Sequence, residues 1–470
     1  MTTIPKSVLK SFSATAKRLF GRGRNDNIWL SVIATPEELV LRSVCSDVAL
    51  EYRVRDQFDP ATFAVQLEQL ADCEAKSPEP VSFEPSADGV TVQWLDRGIP
   101  QQAFCPKPTK ELPAFPNKPQ QIWTTDAGLL RALADATDTT DSESSRYALG
   151  CVCLRGQSGS VAATDGHQLL VQRGNEFPWS GDLLIPASPV FRSRELAADG
   201  PVTIGATDQH VAIGSDRWTV WLPINKDGRF PKIDDNIRPD SMATSRLTLT
   251  SSDAQFLLPR LDSLPAEHDC NSPITLDLNG HVTVRAWAED QPRPLELLLS
   301  NSTTDGEPAS VCMNRQFLAR ALRLGFDQLL VFAPQTPVQC SDERRTYLWM
   351  VLDGQESPRG AAEPVRIESP AVSSGAETPA VKQTRQSTGR RKALQAVSPN
   401  QPRKVRLQTP VAVTEASDNP IEAAQALRTS LRQTLASAHQ LVRSLKRRQR
   451  QERIVATTLA SLKQLQRLAG

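Results

Sequence analysis

The chain has 470 residues, enough for about three domains of ordinary size. Its formal net charge is only +1, but residues 354–470 carry 20 Lys and Arg against 8 Asp and Glu, whereas residues 1–353 carry 34 against 45. Residues 1–353, which we call the body, are thus acidic, and their net charge excludes DNA binding by bulk attraction. A contact between the body and DNA would need a local basic surface. No apolar run reaches the roughly 18 residues of a membrane span, and the N-terminus lacks the apolar core of a signal peptide. We therefore expect a cytoplasmic protein with no membrane partner.

The histidines and cysteines are too scattered to form a metal site. No C-x-x-C pair is present, and Cys151 and Cys153, two residues apart on a predicted strand, are the only close pair of thiols. No phosphate-binding loop or nucleophile motif occurs, and the Asp165-x-His167 pair in a turn is a very weak catalytic signal. The sequence thus predicts no metal, no cofactor and no enzyme activity.

Along residues 1–353, short amphipathic helices alternate six times with runs of strands, which predicts an α+β fold rather than alternating βαβ units. Taken in pairs, the six units predict three domains, at residues 1–118, 119–240 and 241–353. The predicted helices are Pro5–Phe20, Pro60–Ala75, Thr125–Asp138, Ser188–Ala198, Ser252–Ser263 and Asn314–Leu324. The predicted strands include Ile28–Ile33, Leu39–Ser43, Val90–Trp94, Val202–Gly205, Val211–Gly214, Trp218–Leu222, Ile274–Leu278, Val282–Ala286 and Tyr347–Leu352.

The most informative stretch is Ser145–Arg173. It predicts strands at Ala148–Leu154, Gly159–Ala163 and Gln168–Arg173, the last two joined by a tight turn at Thr164-Asp165-Gly166-His167. The segment ATDGHQLLV, preceded by RYALG and followed later by GRFP at residues 228–231, resembles the bacterial DNA polymerase III beta subunit, the DNA sliding clamp.

This resemblance implies three repeated DNA-clamp domains per chain. In that family two chains join head-to-tail into a ring around double-stranded DNA, with helices lining the hole and sheets outside. The implied partners are DNA, a second copy of the chain, the DNA polymerase III alpha subunit, the clamp loader and other proteins with a clamp-binding motif. The implied location is the cytoplasm, in association with the nucleoid. The alternative is a protein of the same fold that acts as a scaffold without closing a ring.

In clamps the second and third domains form a pocket for a partner peptide. Carried over to this sequence, the pocket comprises Leu149, Thr164, Gly166, His167, Leu169, Pro231, Asn314, Phe317, Val338, Met350 and Leu352. The side chains expected to face DNA are Arg22, Arg24, Lys10, Lys17, Arg131, Arg146, Tyr147, Arg192, Arg194 and Arg320. The alternative for these basic residues is an ordinary solvated helix surface, and for His167 a turn histidine without a role.

The sequence departs from the family pattern at several positions. Gln168 stands where Arg usually follows the turn histidine, and residues 232–236 replace a tyrosine and basic residues after GRFP. The usual chain end is replaced by Met350-Val351-Leu352-Asp353, and a first-domain segment by residues 21–26, GRGRND. These changes affect the partner pocket more than the fold, and indicate a divergent clamp or a relative with other clients.

The chain continues beyond the usual end of a clamp. Residues 354–418 are rich in Pro, Ser, Ala, Gln and Thr and contain the basic clusters 390–392 and 403–406, which predicts a disordered basic linker. Asn419 and Pro420 then begin a predicted amphipathic helix within residues 419–470. We consider two hypotheses: the extension contacts DNA, a partner or itself, or it is a solvated tail.

Overall fold

The computed structural model describes residues 1–21, 28–141, 147–196, 200–266, 272–288, 291–333, 335–352 and 363–371. All of them belong to one compact unit, Met1–Glu377. The predicted helix in residues 419–470 and both basic clusters of the linker lie outside the described residues.

Strands dominate the described part of the chain. In chain order they are β1 Thr2–Pro5, β2 Trp29–Ala34, β3 Glu38–Cys45, β4 Val48–Arg55, β5 Ala61–Gln66, β6 Pro80–Pro85, β7 Gly89–Asp96, β8 Ile99–Pro106, β9 Ile122–Thr125, β10 Cys151–Arg155, β11 Ser160–Thr164, β12 Gln168–Gln172, β13 Asp182–Pro186, β14 Val202–Ala206, β15 His210–Ser215, β16 Trp218–Pro223, β17 Ser245–Thr248, β18 Pro273–Leu278, β19 Val282–Ala286, β20 Leu295–Leu298, β21 Thr303–Gly306, β22 Ala309–Asn314, β23 Gln328–Val331, β24 Val338–Ser341, β25 Arg345–Trp349 and β26 Val365–Glu368.

Four of the six predicted helices are confirmed as α-helices. They are α1 Lys6–Phe20, α2 Gly128–Thr137, α3 Ser251–Leu261 and α4 Arg315–Arg323. In α1 the side chains of Leu9, Phe12 and Ala16 are fully buried at the three- and four-residue spacing of a helix face. The ring of Phe12 stacks on Trp218 of β16 with 6.0 Å between centroids, so this helix packs directly on a sheet.

The other two predicted helices are wrong. In the first, Ala61–Gln66 forms β5, and only Leu67–Cys73 makes a short 3-10 helix. The segment ATFAVQ alternates buried Phe63 and Val65 with more exposed residues, and this two-residue period fits a strand paired with β2. In the second, within its described residues 188–196, only Pro189–Arg192 is helical, as one 3-10 turn.

The strands assemble into four sheets. Their strand orders are β1-β6-β7-β8, β5-β2-β3-β4-β16-β15-β14-β9, β13-β10-β11-β12-β25-β24-β23-β17-β21 and β22-β18-β19-β20-β26. Each predicted domain contributes one group of strands to each of two sheets. Residues 1–118 and 119–240 share the eight-stranded sheet, and residues 119–240 and 241–353 share the nine-stranded one.

The two shared sheets are joined in the same way. β4 pairs with β16 in antiparallel fashion, with Leu50 opposite Val220, and β12 pairs with β25 in antiparallel fashion, with Leu169 opposite Leu348. At each junction a strand at the end of one group in the sheet order, β4 or β12, pairs with a strand at the end of a group from the following predicted domain, β16 or β25. β20 of the third predicted domain corresponds to β4 and β12, and β8 of the first corresponds to β16 and β25. β8 lies at a sheet edge, whereas β20 has a further neighbour, β26.

The prediction that residues 354–418 form a disordered linker is wrong at Val365–Glu368. These four residues form β26, which pairs in parallel with β20 from Leu295–Val365 to Leu298–Glu368. The composition around β26 is polar, but its own sequence alternates Val365 and Ile367 with Arg366 and Glu368, which suits a strand. A short segment of this kind becomes ordered because the sheet edge satisfies its backbone hydrogen bonds.

Gly159, in the turn between β10 and β11, is required by its surroundings. Its φ is +58°, and a Cβ added there would lie 1.9 Å from the carbonyl oxygen of Asn175. Gly280, in the turn between β18 and β19, has φ +79° with nothing within 4 Å of an added Cβ. We expect Gly159→Ala to destabilise the protein by about 2–3 kcal/mol, and Gly280→Ala by only the conformational cost of about 1 kcal/mol. Urea unfolding of both variants measures the difference, and equal midpoints would contradict it.

Candidate partner-peptide site and DNA-facing helices

The turn between β11 and β12 is held narrow by side-chain hydrogen bonds. The Thr164 hydroxyl donates to the Gln168 carbonyl at 2.6 Å and accepts from the Gly166 N–H at 3.0 Å. Asp165 Oδ1 accepts from the N–H groups of His167 and Gln168, both at 2.8 Å. Gly166 has φ +91°, which favours glycine at this position. The turn therefore presents the exposed side chain of His167 from a rigid backbone.

The segment after β25 lies against this turn. Met350 donates its N–H to the His167 carbonyl at 2.8 Å, and Leu352 donates its N–H to the Cys312 carbonyl at 2.8 Å. The Met350 side chain is 43 % exposed, and Leu169 on β12 and Leu348 on β25 are buried opposite each other at the junction. Hydrogen bonds thus bring the His167 turn and the end of the third predicted domain together.

The segment that contains GRFP approaches the same region. Ala148 donates its N–H to the Arg229 carbonyl at 3.1 Å, and a Cβ added at Gly228 would lie 3.0 Å from the Ala148 Cβ. Phe230 and Ala148, both half-buried, pack against the cluster of buried side chains that contains Leu169. The other buried members of this cluster are Cys151, Cys153, Ala162, Val171, Leu184, Ile233 and Leu348.

The predicted pocket residues fall into two groups. Around the turn, Leu149 and Leu169 are buried, Pro231 is half-buried, and Gly166, His167 and Met350 are exposed. The remaining predicted members lie on or near α4 and β24: Val338 is fully buried in the core of the third predicted domain, Phe317 packs against that core, and Asn314 caps α4 by accepting from the Gln316 N–H at 2.9 Å. Leu149 lies close to the turn, because a Cβ added at Gly166 would be 3.8 Å from its Cδ1.

Gln168, at the position where the family usually has Arg, bridges the junction. Its side chain accepts a hydrogen bond from the Tyr347 hydroxyl at 2.7 Å and donates to Asp165 Oδ2 at 2.9 Å. Gln168 is only 8 % exposed and Tyr347 is fully buried, and burial raises the pKa of the Tyr347 hydroxyl, which stays protonated as the donor. The hydrogen bonds of Gln168 to Tyr347 and Asp165 were not predicted from the sequence. The one signal for them was that Gln, and not the expected Arg, follows the turn histidine.

Arg320 of α4 lies in the same contact zone. Its guanidinium donates to the Asp135 carbonyl at 2.5 Å and to the Thr139 hydroxyl at 2.7 Å, and it lies 5.9 Å from the centre of the Tyr347 ring. Its side chain is 15 % exposed, and burial lowers the pKa of the guanidinium. Arg320, predicted to face DNA, thus contacts the end of α2 and has little exposed charge.

We expect Tyr347→Phe to destabilise the protein by about 1–3 kcal/mol, because the buried side-chain oxygen Oε1 of Gln168 would lose its donor. The double variant Tyr347→Phe with Gln168→Leu removes both polar partners and should recover part of this loss. Urea unfolding of the two single variants and the double variant forms a cycle. Strictly additive effects would show that the two side chains do not interact.

The other side chains predicted to face DNA differ in their exposure. Lys10 and Lys17 of α1, Arg131 of α2 and Arg194 are exposed, and none of them makes an ion pair with another residue of the described ranges. Arg192 is 52 % exposed but pairs with Asp138. Tyr147 is half-buried and engaged in a contact. The predicted residues Arg22, Arg24 and Arg146 lie outside the described residues.

Within the described ranges, the structure contains no group of three or more metal-ligating side chains. Among the same residues, no helix is both long enough and apolar enough to span a membrane.

Comparison with known proteins gives structural matches only. The sequence matches no protein-family model and no curated protein. The DNA polymerase sliding clamp from Pseudomonas aeruginosa, solved with a ligand, matches 75 % of this chain and 100 % of its own with a TM-score of 0.63 and 18 % identity. The DNA polymerase III subunit beta of the same organism matches equal shares with a TM-score of 0.62 and 19 % identity. A protein of Eubacterium rectale assigned to the DNA polymerase III beta subunits covers 75 % of this chain and 99 % of its own, with a TM-score of 0.62 and 14 % identity.

These matches confirm the resemblance at the level of the fold. The chain has the α+β fold of the bacterial sliding clamps, and the structures it matches are covered almost from end to end. The remaining quarter of the chain has no counterpart in them.

Proposed function

We propose that this protein is a DNA sliding clamp, a non-catalytic processivity factor that encircles double-stranded DNA as a head-to-tail homodimer. The observation that carries the proposal is the repeated junction between predicted domains. The pairs β4·β16 and β12·β25 join the three predicted domains in a row, and the first domain has a strand at a sheet edge, β8. A third junction of the same kind needs a second copy of the chain, and two copies joined in this way close a ring of six domains.

A ring explains how an acidic body can work on DNA. It holds the duplex topologically, so that weak phosphate contacts are sufficient and the ring can slide. The exposed basic side chains Lys10, Lys17 and Arg131 of α1 and α2, together with Arg194 in the turn after Pro189–Arg192, supply such contacts if these elements line the hole, as proposed. Arg22, Arg24 and Arg146 remain candidates for the same role. With this function we propose a location in the cytoplasm, in association with the nucleoid.

The region beside the His167 turn is where a partner peptide is proposed to bind. His167 and Met350 are exposed, whereas Leu149 and Leu169 beside them are only 9 % and 4 % exposed. A bound peptide would therefore meet the exposed Met350 side chain and the polar groups of the turn, above a layer of buried leucines. We propose that the DNA polymerase III alpha subunit, the clamp loader and other proteins with a clamp-binding motif bind here. Asn314, Phe317 and Leu352 are the residues that we propose for the side of the pocket contributed by the third predicted domain, and Val338, which is fully buried, could only support them from the core.

The test combines mass with topology. The 51.6 kDa chain should sediment as a dimer of about 100 kDa. Dimers dissociated by dilution, mixed with nicked circular DNA and then concentrated should stay with the circle through a high-salt gel filtration. They should leave when the circle is cut once. Identical treatment of linear DNA is the control.

The second candidate function is a scaffold without a ring. One observation favours it: the edge of β20 that would pair with a second copy is already paired with β26. A scaffold would remain monomeric, and its retention on DNA would not depend on whether the DNA is circular. A monomer that binds linear and circular DNA equally would overturn the sliding-clamp proposal.

A further inference from the structure

β26 is firmly attached to the third predicted domain. Val365 donates its N–H to the Pro294 carbonyl at 2.8 Å, and Ser369 donates its N–H to the Leu298 carbonyl at 2.9 Å. Beyond the strand, the Asn301 amide donates to the Pro370 carbonyl at 2.9 Å, and Ser369 is only 4 % exposed. The strand is therefore fixed at both ends, along the whole length of β20.

A buried carboxylate makes β26 part of the sheet rather than a loose cover. Glu296 of β20 is 2 % exposed, and its two oxygens accept from Arg285 and from Arg366 of β26, each at 2.7 Å. Burial alone would raise the pKa of Glu296, but the hydrogen bonds from the two arginines outweigh it and keep the pKa below its ordinary value. Removing β26 would leave a buried charge with only one of its two partners, which is costly.

β26 occupies the position where the third junction would form. At the two junctions within the chain, the strands equivalent to β20 are β4 and β12, and each pairs with a strand of the following predicted domain. The strand left to complete the pattern is β8 of another copy. β8 has the sequence IPQQAFCP and no charged residue, so it offers no cation to replace Arg366 beside Glu296.

Both β26 and β8 carry exposed apolar side chains. All four residues of β26 are exposed, with Val365 at 47 % and Ile367 at 41 %. On β8, Ile99 is 61 % exposed and Phe104 is 55 % exposed. Among the described residues, neither outer edge pairs with another strand. Because side chains alternate between the two faces of a strand, Val365 and Ile367 share one face of β26, whereas Ile99 and Phe104 lie on opposite faces of β8. Each strand thus combines an open edge with exposed apolar side chains, and sheet edges of this kind pair between separate chains.

We propose that β26 is the strand on which β8 of a second copy of this chain pairs, so that the C-terminal extension, and not β20, forms the edge of the junction between chains. The proposal rests on the proposed ring. Its consequence is one additional strand at each of two junctions, which lengthens the ring by about 4.8 Å per junction relative to direct pairing on β20.

The test places charge on the proposed edge. The double variant Val365→Lys with Ile367→Lys changes two exposed side chains and leaves the Arg366–Glu296 pair intact. Met242→Lys with Trp123→Lys, at side chains that are 60 % and 44 % exposed, is the matched control. Sedimentation equilibrium of the full chain should give a dimer dissociation constant at least tenfold higher for the edge variant, and unchanged for the control. An unchanged constant for the edge variant would overturn the proposal.

A second variant tests whether β26 forms the contact with the second copy or prevents that copy from pairing on β20. Deleting residues 363–371 together with Glu296→Gln removes β26 without leaving a buried charge. We expect this variant to dimerise at least tenfold more weakly, with an unfolding midpoint that confirms a folded body. Tighter dimerisation would show that β26 blocks pairing on β20, which overturns this proposal and leaves the ring standing. A wild-type chain that stays monomeric and never remains on circular DNA would instead overturn the ring and this proposal together.

Discussion

Trp349→Ala should lower the free energy of unfolding by about 3–5 kcal/mol, the cost of emptying a large core site. Trp349 is the last residue of β25 and is fully buried. It lies between Val338 of β24 and Gln168 of β12, and its ring is tilted against Tyr347 with 5.3 Å between centroids. The cavity would therefore open at the junction of the second and third predicted domains, below the candidate peptide site. Urea unfolding followed by circular dichroism measures the loss.

Trp123→Ala is the matched control for this loss. Trp123 lies on β9, at the edge of the eight-stranded sheet, and is 44 % exposed. Its replacement removes the same atoms from a half-solvated position, so we expect a cost of about 1 kcal/mol or less. If the two variants unfolded at the same urea concentration, the junction would not depend on Trp349.

Much of the fold was predictable where local signals and tertiary structure agree. Val282–Ala286 was predicted with the bounds that β19 has, and the helix prediction over Pro5–Phe20 differs from α1 by one residue. The turn Thr164-Asp165-Gly166-His167 was predicted because Asp and Gly at these positions satisfy both the hydrogen bonds and the positive φ of a tight turn. In these elements the residue types themselves determine the conformation.

The features that the sequence did not reveal depend on distant partners. Ala61–Gln66 has helix-compatible composition, but pairing with β2 makes it a strand. β26 is a four-residue strand in a polar stretch, and it is ordered by the edge of β20 and by the carboxylate of Glu296, 70 residues away along the chain. Gln168 and Tyr347 are 179 residues apart, so their hydrogen bond could not be inferred from either local sequence.

Reversing four exposed positive charges should remove most of the attraction of the body for DNA. The variant carries Lys10→Glu, Lys17→Glu, Arg131→Glu and Arg194→Glu, all at exposed positions without an ion-pair partner among the described residues. If these side chains face DNA, about four phosphate contacts are lost. The negative slope of log K against log salt concentration should then become shallower by about 3–4. Affinity for a short duplex at low salt should fall at least about 100-fold.

The control reverses the same number of charges away from α1, α2 and Arg194. Lys110, Lys118, Lys226 and Arg344 are exposed and lie in loops between strands, so their replacement by Glu changes the net charge equally. Because screening limits long-range attraction to about 10 Å at 0.1 M salt, the control should keep nearly the full salt slope, including the part due to the basic extension. Fluorescence anisotropy of a labelled duplex over a range of salt concentrations measures both variants. If the two slopes fell equally, these four residues would contribute only net charge and the DNA-facing assignment would be wrong. If only the first fell, α1, α2 and the segment around Arg194 would form the surface on which the duplex slides.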